Sequence, residues 1–155
     1  MSIHSEVDLL RKIPLFANID TAKLKLLAFT SERLTFQSGA VLCREGERGD
    51  SAYLILSGKV AVNVNTPKGP VTVATLTEHN IVGEMALLGD IPRTATIVAT
   101  EPVETLRIRK DQFFQLLRDL PQMTLEIMRE LAVRLNNANR ELSAAHVRLR
   151  DAGLY

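Results

Sequence analysis

The chain has 155 residues, 46% hydrophobic and 24% charged, with a formal net charge of +1; this suits one folded core and excludes both a disordered chain and a global field drawing the molecule to nucleic acid or membrane. The lone Cys43 excludes an internal disulfide and points to a reducing cytoplasm. No apolar run is long enough to span a bilayer, and the start Met1-Ser2-Ile3-His4-Ser5-Glu6 lacks the regions of a signal peptide; Met1-Ser2 reads as an intact N-terminus, of either a free-standing chain or a module of a longer one.

The period of the apolar residues divides the sequence into three zones of one domain, residues 1–155. Residues 1–30 read as helical. Ser5 with Asp8 is placed to cap a turn carrying Val7, Leu9 and Leu10, and Pro14 stops it. Asp20 then caps a second helix with Leu24, Leu27 and Ala28 on one face. Residues 31–109 read as strands: Val60, Val62 and Val64 alternate with Lys59, Ala61, Asn63 and Asn65. Turn signals recur at Ser38-Gly39, Gly46 through Asp50, Ser57-Gly58, Pro67 through Pro70, His79-Asn80 and Glu101-Pro102. This spacing predicts a mainly β, α+β fold with about eight short strands in a sandwich or jelly-roll barrel. Residues 110–155 return to a helical period. Asp111 is placed to cap a helix with Phe113, Leu116 and Leu117, and Pro121 opens a final helix of about 30 residues that meets no breaker before Gly153.

Between two of the predicted strands, residues 83–96 concentrate a glycine, a carboxylate and an arginine in one turn. Arg93 offers a forked cation for phosphate oxygens. Gly83 allows close backbone approach. Glu84 through Leu87 favour a short helical turn whose amides face an anion, with Ala86 leaving room. A carboxylate at Glu84 suits a ribose hydroxyl, and Pro92 fixes the chain before Arg93. Each residue alone fits an ordinary strand–turn–strand connection; their joint ordering points to a small ligand with one phosphate and one hydroxyl.

The string Gly83-Glu84-Met85-Ala86-Leu87 followed by Pro92-Arg93-Thr94-Ala95-Thr96 resembles the phosphate-binding cassette of the cyclic nucleotide-binding domain family. Ile13-Pro14-Leu15-Phe16, the run Glu45 to Tyr53, and Leu56-Ser57-Gly58-Lys59-Val60 agree, and the likeness covers residues 7 to 135. The resemblance implies an eight-stranded jelly-roll barrel with N-terminal helices, a short cassette helix and a long C-terminal helix. It implies that Arg93 holds the exocyclic phosphate oxygens, that Glu84 with Gly83 nearby holds the ribose hydroxyl, and that the amides of Ala86 and Thr94 bind the phosphate. Asp50 matches an acid that pairs with the cassette arginine, or is a surface turn residue. Leu54, Val73 and Met85 are candidates for apolar contact with sugar and base, or are core. Thr94 permits either cAMP or cGMP, and the likeness to bacterial regulators favours cAMP.

In the last helix Met128, Leu135, Leu142 and Leu149 fall seven apart, and Leu131, Ala138, Ala145 and Ala152 form a second seam. This a/d pattern over residues 128–152 predicts a homodimer, or else a stripe packed on the chain's own barrel. In the bacterial relatives the helix also reaches the base; the matching positions here are Ala138 and Asn139, and Asn139 or Asn136 is placed to make that contact. Residues 110–155 hold seven Lys/Arg and six Asp/Glu with no basic stripe, so direct DNA binding is not expected. His4, His79 and His146 lie in different zones, and no nucleophile elbow or Walker loop is present, so neither a metal or other cofactor nor an enzyme is expected. The expected function is a cytoplasmic sensor of cAMP that signals through its C-terminal helices. The alternatives are a cGMP-preferring sensor and a dimerisation module without ligand.

Overall fold

The structure is a computed structural model that describes residues 3–154. Met1, Ser2 and the side chains of Ile3 and His4, which the sequence reading names, lie outside the described residues, as does Tyr155. The chain falls into two compact units, one running to Leu116 and the other from Leu117.

The first unit begins with α1 (Ile3–Arg11), a 3-10 turn (Pro14–Phe16) and α2 (Thr21–Thr30). Val7 and Leu10 on α1, Phe16, and Leu24, Leu27 and Ala28 on α2 are buried, as the spacing of three and four predicts. The predicted caps differ. Ser5 lies inside α1 rather than at its start, and Asp20 precedes α2 without a side-chain cap bond. The connection is tied from the other side, where Arg11 donates to the Ile19 carbonyl at 3.3 Å and to the Thr21 hydroxyl at 2.6 Å.

The strands are β1 (Glu32–Phe36), β2 (Val41–Cys43), β3 (Ser51–Ser57), β4 (Val60–Thr66), β5 (Gly69–Leu76), β6 (Ile81–Val82), β7 (Thr96–Ala99) and β8 (Val103–Arg109). They form two antiparallel four-stranded sheets, in the orders β1-β8-β3-β6 and β2-β7-β4-β5. The predicted closed barrel is therefore observed as two sheets, with no strand pair joining them among the described residues. Their inner faces meet in one cluster: Tyr53, Ile55, Val82 and Val103 from the first sheet, with Leu42, Val60, Ile97 and Ala99 from the second. Phe36 meets Tyr53 edge-on at 5.9 Å. Side chains alternate along a strand, so Leu54 points away from this cluster; it is nonetheless fully buried, because β3 is covered on both faces.

Two of the connections that cross from one sheet to the other frame the candidate site. The loop 44–50 leads from β2 to β3, and the segment 83–95, which contains the five-residue helix α3 (Glu84–Leu88), leads from β6 to β7. α3 lies against β3.

α4 (Lys110–Asp119) follows β8, starting one residue before the predicted cap, and buries Phe113. In the second unit α5 (Pro121–Asp151) is a single helix of 31 residues with proline in its first turn and Arg148 and Arg150 in its last. Its first predicted seam is exposed, with Leu135 at 63% and Leu142 at 56%. Among the described residues no helix is long and apolar enough to cross a membrane.

The inner cluster predicts a sharp contrast between two apolar positions. Ile55→Ala, in its centre, is expected to cost about 2–5 kcal/mol in urea unfolding. Val73→Ala, on an exposed strand, is expected to stay within about 0.5 kcal/mol.

Candidate functional site

Arg93 is the best-held residue of the 83–95 segment, with its main chain bonded at both the amide and the carbonyl. Its amide donates to the Glu47 carbonyl at 2.8 Å, and its carbonyl accepts from the Gly46 amide at 2.8 Å. These two bonds knit the 83–95 segment to the 44–50 loop. The Glu45 amide adds a third tie by donating to the Thr96 hydroxyl at 3.0 Å.

The guanidinium then turns inward, and Arg93 is only 6% exposed. Nη1 donates to the Gly83 carbonyl at 2.8 Å, and Nη2 donates to the Ser51 carbonyl at 2.6 Å. A buried cation needs acceptors, and here they are neutral carbonyls. The positive charge is thus solvated but not cancelled by these partners. Gly83 makes its part of the geometry possible. It holds φ at 84°, a left-handed conformation that disfavours other residues, and it opens α3 directly. Glu84 follows in the first turn and is 5% exposed. The cassette therefore buries both a carboxylate and a guanidinium.

The remaining predicted residues divide clearly. Ala86 is buried, whereas Met85 is 47% exposed and Thr94 is exposed. Leu54 is fully buried, so in this arrangement it offers no surface for apolar contact with a ligand. Val73 is 59% exposed on β5, where Thr72 pairs with Asn63 and Ala74 with Val62. Val73 is the extra residue of a bulge there, rather than core. Asn139 is exposed on α5 in the second unit.

Asp50 is exposed at the end of the 44–50 loop, in keeping with the second of its two expected readings, a surface turn residue. Its carboxylate does not pair with Arg93. It accepts from the Ser51 hydroxyl at 2.7 Å and from Arg107 Nη2 at 3.1 Å. Arg107, on β8, also donates through Nε to the Ser51 hydroxyl at 2.8 Å and through Nη1 to Glu32 at 3.1 Å. The cause is strand register: Ser51 lies opposite Arg109 and Tyr53 opposite Arg107, which brings Arg107 beside the start of β3. The sequence reading missed Ser51 and Arg107. Ser51 stood inside the recognised run from Glu45 to Tyr53, but its contact with Arg93 is made by a backbone carbonyl, which leaves no mark in the sequence.

A cavity of about 220 Å³ opens beside the cassette, lined by Gly46, Arg48, Gly49, Ala86, Asp90, Ile91 and Pro92. Of the predicted ligand residues, only Ala86 lines it. Burial pushes the Cys43 thiol up, against an opposing pull from Arg93, so it stays protonated and weakly nucleophilic near neutral pH. Among the described residues no group of three or more His, Cys, Asp or Glu is arranged to hold a metal.

A profile of the cyclic nucleotide-binding domain matches residues 33–119, more than half of the chain. The chain belongs to the cyclic nucleotide-binding domain family. It is 35% identical to cGMP-dependent protein kinase, isozyme 1, of Drosophila melanogaster, over 78% of this chain and 16% of that protein. It is 33% identical to a cAMP-dependent protein kinase regulatory subunit of Yarrowia lipolytica, over 70% of this chain and 28% of that one. Among solved structures it is similar to the Thermus thermophilus catabolite activator protein, at 31% identity and a TM-score of 0.75, covering 84% of this chain and 62% of the other. The chain thus spans less than a third of the length of these two kinase relatives.

The Asp50 network gives a prediction that needs no ligand. The Ser51 hydroxyl, and after it Arg107, hold the Asp50 carboxyl below the usual carboxylate range. A lowered folded value means that this contribution is complete above the unfolded value of about 3.9. It is lost as pH falls through the lower folded value. Asp50→Asn is therefore expected to flatten the acid side of the Tm–pH curve and to leave its shape above about pH 6 unchanged, measured by calorimetric melting.

Proposed function

We propose that this protein is a non-catalytic regulatory sensor that takes cAMP in preference to cGMP and passes the binding event to its C-terminal helices. The observation that carries the reading is the cassette itself. One short crossover buries both Glu84 and Arg93, and the guanidinium is paired with two neutral carbonyls. A phosphate is a stronger acceptor for this fork than a carbonyl. Further N–H donors of the guanidinium remain for it beyond those two bonds. Glu84 takes the ribose hydroxyl, Gly83 lies alongside, and the amides of Ala86 and Thr94 complete the phosphate contacts. Met85 offers exposed apolar surface for sugar and base.

The preference for cAMP draws on a further likeness. A CRP-like cAMP-activated global transcriptional regulator of Mycobacterium tuberculosis is 26% identical over 88% of this chain. A preference for cGMP is the second reading, favoured by the 35% identity to the Drosophila cGMP-dependent kinase. The strand orders β1-β8-β3-β6 and β2-β7-β4-β5 support a jelly roll as the frame of a single binding module. The exposed apolar seam of α5 supports a homodimer joined through that helix, and ligand-dependent closure of the helix is the output. The reduced thiol of Cys43 suits a cytoplasmic protein.

Calorimetric titration with cAMP, cGMP and their 2′-deoxy analogues tests this reading. cAMP is expected to bind tightest, and each deoxy analogue is expected to bind more weakly than its parent. Absence of heat with both parent nucleotides would leave the chain a dimerisation scaffold. Arg93→Ala is expected to weaken cAMP binding by about 2–5 kcal/mol, since it strands a buried anion. Glu84→Ala is expected to cost about 1–3 kcal/mol, and that loss should shrink when the deoxy analogue replaces cAMP.

A further inference from the structure

Gly49 stands in the 44–50 loop, outside the cassette, and its backbone is not in the left-handed region. Conformation therefore does not require glycine there. Space does. A Cβ at residue 49 would lie 2.8 Å from Arg93 Cζ, 2.9 Å from Arg93 Nε and 3.1 Å from Ala86 Cβ. Ordinary contact between such atoms begins at about 3.5 Å. The obstacle is the guanidinium plane itself, and that plane cannot swing aside cheaply. Its two terminal nitrogens are held by the Gly83 and Ser51 carbonyls at 2.8 and 2.6 Å. On the neighbouring side Ala86 is buried in α3.

We propose that Gly49 is a positioning residue for the cassette arginine. Its missing side chain is the slot in which the guanidinium lies, and the slot fixes the plane in which the fork meets an anion. This rests on the cyclic nucleotide reading above, in which Arg93 holds the phosphate. A bidentate contact depends on the fork's orientation, so a guanidinium displaced by one methyl group keeps its charge and loses its aim.

The test is a thermodynamic cycle on the full chain, combining Gly49→Ala with Arg93→Lys. Lysine has no branched plane to occupy the slot. In the arginine background, Gly49→Ala is expected to lower the Tm of the unliganded protein and to weaken cAMP binding about tenfold to a hundredfold, the scale for small misplacements in a site. In the lysine background the same substitution is expected to leave Tm unchanged. Equal Tm losses in both backgrounds would mark a general loop-packing cost and overturn the proposal. Wild-type affinity in Gly49→Ala would overturn it as well. If the wild-type chain bound neither nucleotide, the functional reading would fail by itself, and the Tm cycle would still decide whether Gly49 sets the place of Arg93.

Discussion

The double grip on Arg93 is the constraint around which this site is built. Its main chain is paired with Gly46 and Glu47, and its side chain with Gly83 and Ser51. Four separate positions thus converge on one residue. They belong to two of the connections that cross between the sheets and to the first residue of β3. Without the main-chain pair the crossovers would be independent loops, each free to carry its functional groups elsewhere. Without the side-chain pair a nearly fully buried cation would lack acceptors, at a cost of several kcal/mol. Because these acceptors are neutral carbonyls, they satisfy the guanidinium without cancelling its charge.

The carboxylate of Asp50 is engaged away from Arg93. Asp50 is drawn to Arg107 and to the Ser51 hydroxyl. Ser51 therefore has two jobs on opposite ends of its own atoms: its hydroxyl links Asp50 with Arg107, and its carbonyl receives Arg93. The Asp50 carbonyl in turn accepts from the Lys110 amide at 2.8 Å, where α4 begins. A short chain of bonds thus runs from the cassette through residues 50 and 51 to the end of β8. The ion pairs on its outer side are substantially exposed on their acidic partners, so their contribution is one of geometry more than of stability.

The second unit follows a different logic. α5 is a straight continuation of helical sequence, reinforced on its surface by the Glu126–Arg129 and Glu130–Arg134 pairs, each at 2.7 Å. Its exposed leucines at seven-residue spacing give it an apolar stripe.

Much of this was legible in the sequence because its causes are local. Turn residues recur every few positions and delimit eight strands; a proline and a later glycine bound α5; and Gly83, Glu84 and Arg93 sit in one short string that folds as a unit. The faces of individual residues were less legible. Val73 is displaced by a bulge that depends on the opposite strand, and Leu54 is sealed by cover on both sides of β3. Hydrogen-bond partners were the least legible of all. Every residue carries a carbonyl, so nothing in the composition says that those of Gly83 and Ser51 will hold the arginine. Nor does it say that Arg107, 57 residues away, will claim Asp50. The sequence by itself determined which charged groups the cassette contains. Only tertiary structure decided what each faces, because strand register and crossing connections bring distant backbone atoms into contact, and no side-chain code specifies them.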